Sequence, residues 1–187
     1  MAILWRSDLL EVIVTHLDTN WQWIKVYVKH LHYSFSVINV YGPNNNAKKR
    51  ILMQTIATKL QDLDNEVAIL GGYFNAILNS KDKKGGKGWS LESQRDFSNF
   101  VNDSGLVEIL FKKGEFTWTN TREVFFNIAE KLDRFFAAGN WMEANWSCSI
   151  EILPFQGSYH FPIFLRIQDE KTLDRCPFKF EAIWLKT

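Results

Sequence analysis

Four side chains able to do chemistry stand at the ends of apolar runs or in turns: Tyr41, Asn75, Asp133 and His160. Tyr41 closes the run that begins at Ser34, and Asn75 follows Gly71-Gly72-Tyr73-Phe74. Asp133 lies in Leu132-Asp133-Arg134, and His160 ends Gly157-Ser158-Tyr159-His160. Carboxylates, amides and imidazoles are the groups that phosphodiester hydrolysis places beside a divalent metal, which polarises the phosphate and orients water. Hard Mg²⁺ takes oxygen ligands, commonly one or two carboxylates plus the substrate phosphate. Each residue taken singly has a plainer use. Tyr41 can cap and pack a strand, Asn75 can bond its own backbone in a turn, His160 can be structural, and Asp133 can pair with Arg134 or Lys131.

These residues need a core to hold them. The 187 residues suit one domain of ordinary size. With 46% hydrophobic and 23% charged residues the chain is compositionally globular, which argues against wholesale disorder. Its 15 Phe and 8 Trp are read as packing residues first, Phe116 and Trp118 included. The net charge of +1 lacks the basic excess of a dedicated duplex binder. Lys48-Lys49-Arg50 and Lys81, Lys83, Lys84 and Lys87 are local basic surfaces, read as solvated faces. Cys148 and Cys176 are far apart and outside metal-ligand spacing, which argues against a disulfide framework. No apolar run reaches membrane-span length and no secretory signal opens the chain, so an intracellular location, nuclear or cytoplasmic, is expected.

The elements read as follows. Ala2 to Trp5, Leu10 to Val14, Ile24 to Val28 and Ser34 to Tyr41 are predicted strands, the third by its period of two. Gly42-Pro43-Asn44-Asn45-Asn46 is a turn and helix entry. A helix is predicted from about Ala47 to Leu63, with Ile51, Leu52, Ile56, Leu60 and Leu63 on its apolar side. Val67 to Leu70 reads as a strand buried on both faces, ended by Gly71-Gly72. Ser90 caps a second helix with Phe97, Phe100 and Val101 inward, stopping near Gly105. Short strands are predicted around 106–109, 116–120, 131–136, 150–153 and 162–167, with an amphipathic turn at Trp141. The rhythm is not βαβ. It points to an α+β fold of two packed, mostly antiparallel sheets flanked by helices.

Five segments in this order carry a specific resemblance: Ile38-Asn39-Val40-Tyr41-Gly42-Pro43, Gly71-Gly72-Tyr73-Phe74-Asn75, Phe116-Thr117-Trp118-Thr119-Asn120, Leu132-Asp133-Arg134 and Ser158-Tyr159-His160. Together they resemble the endonuclease/exonuclease/phosphatase (DNase I-like) superfamily, and particularly the endonuclease region of plant non-LTR (LINE-type) retrotransposons. The resemblance implies a four-layer α/β sandwich over residues 1–168, with the first strands missing, followed by a linker and C-terminal extension over 169–187. It implies Mg²⁺ as the family cofactor and DNA as the family partner.

In that family the first motif reads Gly-Asp-Phe-Asn and the last Ser-Asp-His. Asn75 and His160 therefore match family site residues, whereas Tyr73 and Tyr159 stand at family Asp positions. Asp133 matches the Asp that orients the catalytic His, and Tyr41 a Tyr that points at the phosphate. The metal-binding Glu of the family lies upstream of the matched region. Two phenols, neutral near pH 7 with pKa values of ~10, replace two carboxylates. The expectation is a degenerate site, impaired or inactive, with no bound metal. Alternatives are an active Mg-dependent endonuclease, with its metal held unconventionally by Asp82, Glu130 or Asp133, and a non-catalytic nucleic-acid- or protein-binding module.

Overall fold

The computed structural model describes residues 1–63, 66–121, 127–139, 141, 146–154 and 157–169. Three antiparallel strands come first: β1 (Leu10–Leu17), β2 (Trp21–Val28) and β3 (Tyr33–Tyr41). Asn45 then caps α1 (Asn46–Asp62) by accepting from the Lys48 N–H, so the chain crosses over and returns as β4 (Ala68–Tyr73), parallel to β3. A 3₁₀ turn at Ser80–Asp82 leads into β5 (Lys83–Lys84), and Ser90 caps α2 (Leu91–Asp103). Short strands follow: β6 (Val107–Glu108), β7 (Phe111–Lys113), β8 (Trp118–Thr119) and β9 (Ala129–Glu130). The last three are β10 (Asp133–Ala138), β11 (Trp146–Ile152) and β12 (Ile163–Asp169).

They assemble as a six-stranded sheet in the order β1-β2-β3-β4-β10-β6, a three-stranded sheet β12-β11-β7, and a small sheet β5-β9-β8. One face of the large sheet (Ile38, Val40, Leu70, Phe136) packs with Leu52 and Ile56 of α1 and Phe97, Phe100 and Val101 of α2. The opposite face (Ile69, Ala137) meets Ile150 of β11 and Ile163, Leu165 and Ile167 of β12. The α+β class of packed sheets with flanking helices is therefore present. Among the described residues both helices cover the large sheet, and none covers the outer face of β12-β11-β7.

Several local expectations are corrected. Ala2 to Trp5 forms no strand: Leu4 is 91% exposed, and the four residues find no partner edge among the described residues. Ile51 is exposed, because the buried stripe of α1 runs through Lys49, Leu52 and Ile56, and the next residue along a helix turns about 100° away from its neighbour. Gly71 and Gly72 do not end β4. The strand runs on to Tyr73, and Gly72 has φ +131 with a would-be Cβ 2.3 Å from Val40 O, so only glycine lets the two strands approach there. Phe116 and Trp118 are half-buried, while Thr117 between them is fully buried. The linker and C-terminal extension expected over 169–187 lie, beyond Asp169, outside the described residues.

The basic runs are also less solvated than their composition suggests. Lys49 is buried, its Nζ donating to Asn75 O at 2.8 Å and lying over the Trp89 ring. Arg50 pairs with Asp96 and Glu92, and Lys83 with Glu130. Arg134 is the largest fully buried side chain. Its guanidinium donates to Asp82 Oδ2 at 2.5 Å and to Glu108 Oε1, and Lys131 Nζ reaches the same Glu108 oxygen at 2.7 Å. Asp82 Oδ2 further accepts from the N–H groups of Leu78 and Asn79, fixing the loop after β4. Removing one partner of such a buried network leaves a charge uncompensated, so Arg134→Ala is expected to cost about 3–5 kcal/mol. Urea denaturation measures this, and a loss below about 1 kcal/mol would show the network to be dispensable.

Candidate active site

Strand register builds the site. Tyr41 of β3 is directly opposite Tyr73 of β4, and Tyr73 is directly opposite Asp133 of β10. Directly paired residues project from the same face of a sheet, so these three side chains stand in one row. The row lies at one end of the large sheet, on the face that meets β11 and β12. His160 arrives from the loop before β12, held by a bridge to Trp118 and by its N–H donating to Ser158 Oγ.

His160 Nδ1 lies 2.9 Å from Asp133 Oδ2. A carboxylate only accepts, so the ring donates from Nδ1, which leaves Nε2 as the basic nitrogen. Asp133 Oδ2 also accepts from Thr117 Oγ1 at 2.8 Å, while Thr117 Oγ1 itself accepts from the N–H groups of Leu132 and Asp133. The result is a continuous chain, Thr117 to Asp133 to His160, whose inner member is fully buried. Thr117 was not legible as a site residue. Its only sequence signal is its place inside the Phe116–Asn120 run.

Tyr73 fills the middle of the row. Its ring meets His160 edge-on at 4.9 Å and Tyr41 at 5.4 Å. Burial, followed by the neighbouring Asp133, Tyr41 and Glu130, pushes its phenol up to about 12. Tyr159 behaves differently. It is 60% exposed, its carbonyl accepts from the Thr119 N–H, and its ring does not enter the row. Of the two tyrosines at the family Asp positions, Tyr73 packs within the row and Tyr159 stands outside it. In an extended segment neighbouring side chains alternate, and His160 takes the inward position.

Asn75 is drawn into the same region but is spent on the loops. It has φ +51, and its Nδ2 donates to Asn44 Oδ1 at 2.6 Å and Pro43 O at 3.3 Å. Tyr41 is 52% exposed at the open end of the row. The structure thus brings Tyr41, Tyr73, Asp133 and His160 together, sets Asn75 beside them as a loop tie, and leaves the Tyr159 ring outside.

These residues do not fit a hard divalent cation. Asp133 Oδ2 is shared between Thr117 and His160, and among the described residues no second carboxylate joins it. Asp82 is held by Arg134, and Glu130 by Lys83 and Trp89 Nε1, so neither alternative carboxylate is free. Among the described residues no cluster of three or more His, Cys, Asp or Glu could hold a metal. What remains is a histidine oriented by a carboxylate, able to accept or donate one proton at Nε2.

The sheet sandwich with its Asp–His pair at the strand ends is similar in fold to solved DNase I-like structures. The chain matches the endonuclease domain of TRAS1, a telomere-specific non-LTR retrotransposon, with TM-score 0.68 and 13% identity, covering 88% of this chain and 71% of that one. It also matches TDP2 of D. rerio complexed with single strand DNA product, with TM-score 0.57 and 11% identity over 87% of this chain and 70% of that one. A mannosyl-6-phosphatase from Bacteroides thetaiotaomicron has TM-score 0.54 and 14% identity over 88% and 69%. No protein-family model matches, and no curated protein matches. Among the described residues no helix is long and apolar enough to cross a membrane.

The Tyr73 phenol gives a direct check. Its folded pKa lies above the unfolded value of 10.0, so the folded chain keeps this proton longer. The associated stabilisation is complete below pH 10 and is lost as pH rises towards about 12. Alkaline absorbance titration is expected to show a late phenol ionisation that disappears in Tyr73→Phe. An unchanged titration in that variant would contradict the desolvated placement of Tyr73.

Proposed function

We propose that this chain is a catalytically silenced relative of a metal-dependent DNA endonuclease of the retrotransposon type, keeping the phosphodiesterase scaffold and its Asp133–His160 pair. One observation carries the reading. Tyr73 occupies the row position between Tyr41 and Asp133, with its ring against His160, where the resemblance expects an anionic Asp. A neutral phenol adds no charge for a cation, and its ring takes up space beside the histidine. Losing one electrostatic element of such a site commonly lowers the rate by ~10²–10³. With both motif carboxylates replaced, hydrolysis is expected at background even allowing for non-additivity.

DNA remains the partner class suggested by this reading, supported by the likeness to a retrotransposon endonuclease and to a protein bound to single strand DNA product. The pure protein, incubated with supercoiled plasmid and Mg²⁺ or Mn²⁺, is expected to nick it no faster than its His160→Ala variant. Metal-dependent nicking that His160→Ala abolishes would overturn the proposal and restore an active endonuclease.

A further inference from the structure

The small β5-β9-β8 sheet has two faces of opposite character. Lys83, Glu130, Trp118 and His160 are successive partners across it, and they form its inward row. Lys84, Ala129 and Thr119 form the other row, which the Thr119 N–H extends to Tyr159. Lys84 and Tyr159 are therefore on one outward face, at its two ends. Three inter-strand steps of about 4.8 Å place them roughly 14 Å apart.

The basic end is built rather than floppy. Lys84 leads into Gly85 and Gly86, at φ +76 and +67, and the backbone of Gly85 is seated against Asn127 O. The carboxylates bordering this segment are already neutralised, Asp82 by Arg134 and Glu130 by Lys83. Lys81, Lys84 and Lys87 are exposed and make no ion pair among the described residues. Between the ends lie a hydroxyl and an amide, Thr119 Oγ1 donating to Asn127 Oδ1 at 2.8 Å.

We infer that this outer face binds single-stranded nucleic acid, with a base stacked on Tyr159 and phosphates held by Lys84 and the neighbouring Lys81 and Lys87. An exposed aromatic ring and unpaired cations on one face are the combination that grips an extended strand without reading its sequence. The ring requires an unstacked base, so single strands are favoured over duplex. The site lies on the opposite side of the sheet from the Asp133–His160 pair. It goes beyond the proposed loss of hydrolysis and stands or falls separately, because binding needs no chemistry.

Fluorescence anisotropy with labelled twelve-nucleotide oligo-dT and oligo-U tests it, at low salt and with added salt. Binding of either oligomer should weaken as salt rises, and their relative affinities distinguish DNA from RNA as the natural strand. Tyr159→Ser should weaken binding roughly 5- to 150-fold, the range for one lost base stack, while Tyr159→Phe retains it. Lys84→Gln should reduce the salt slope by about 0.7. Both positions are exposed, and unchanged thermal melting of the variants confirms that they fold. No binding at low salt, equal affinity for a duplex of the same length, equal competition by poly-glutamate, or a Tyr159→Ser variant that binds as wild type would each overturn the inference.

Discussion

Tyr73 is paired with Tyr41 on one side and Asp133 on the other, and that row governs what this end of the sandwich can hold. The backbone gives the residue no latitude. Gly72 before it is pressed against Val40, Gly42 N–H donates to its carbonyl, and His160 closes over its ring. A carboxylate there would face Asp133 directly and would need a cation to balance the pair. A phenol needs none, and burial keeps it protonated far into the alkaline range. A phenol at this position therefore leaves the row without a second negative charge beside Asp133.

Around the row, charge is balanced locally. Arg134 answers Asp82 and Glu108, Lys83 answers Glu130, and Asp133 is hydrogen-bonded by Thr117 and His160. These pairs tie the loop after β4, the 3₁₀ turn and β6 to β10, the strand that presents Asp133, and tie β5 to β9. Lys49 does the same from α1 by gripping Asn75 O. The histidine is thus oriented by a closed set of pairs, while Lys81, Lys84 and Lys87 around Gly85-Gly86 stay exposed.

Much of this was readable in the sequence because the signals were local. The alternation through Ile24–Val28, the helix entry at Gly42–Asn46, the Ser90 cap, and the buried apolar run at Val67–Leu70 all report on near neighbours. The motif residues Asp133 and His160 meet as the resemblance implied. What stayed hidden depends on distant partners. Gly71 sits inside a strand because the Phe135 ring occupies the space of its Cβ, and Lys49 is buried because Asn75 and Trp89 accept its ammonium. Thr117 and the outward turn of Tyr159 follow from pairing with β9 and with the loop before β12, which no periodicity records.

Calorimetric titration of the folded protein with Mn²⁺ probes most directly whether a neutral ring has displaced an ion from this row. The expected trace shows only dilution heat. A saturable site of one ion per chain, lost in Asp133→Asn, would mean that a cation still binds beside His160 and that the silenced-site account is wrong.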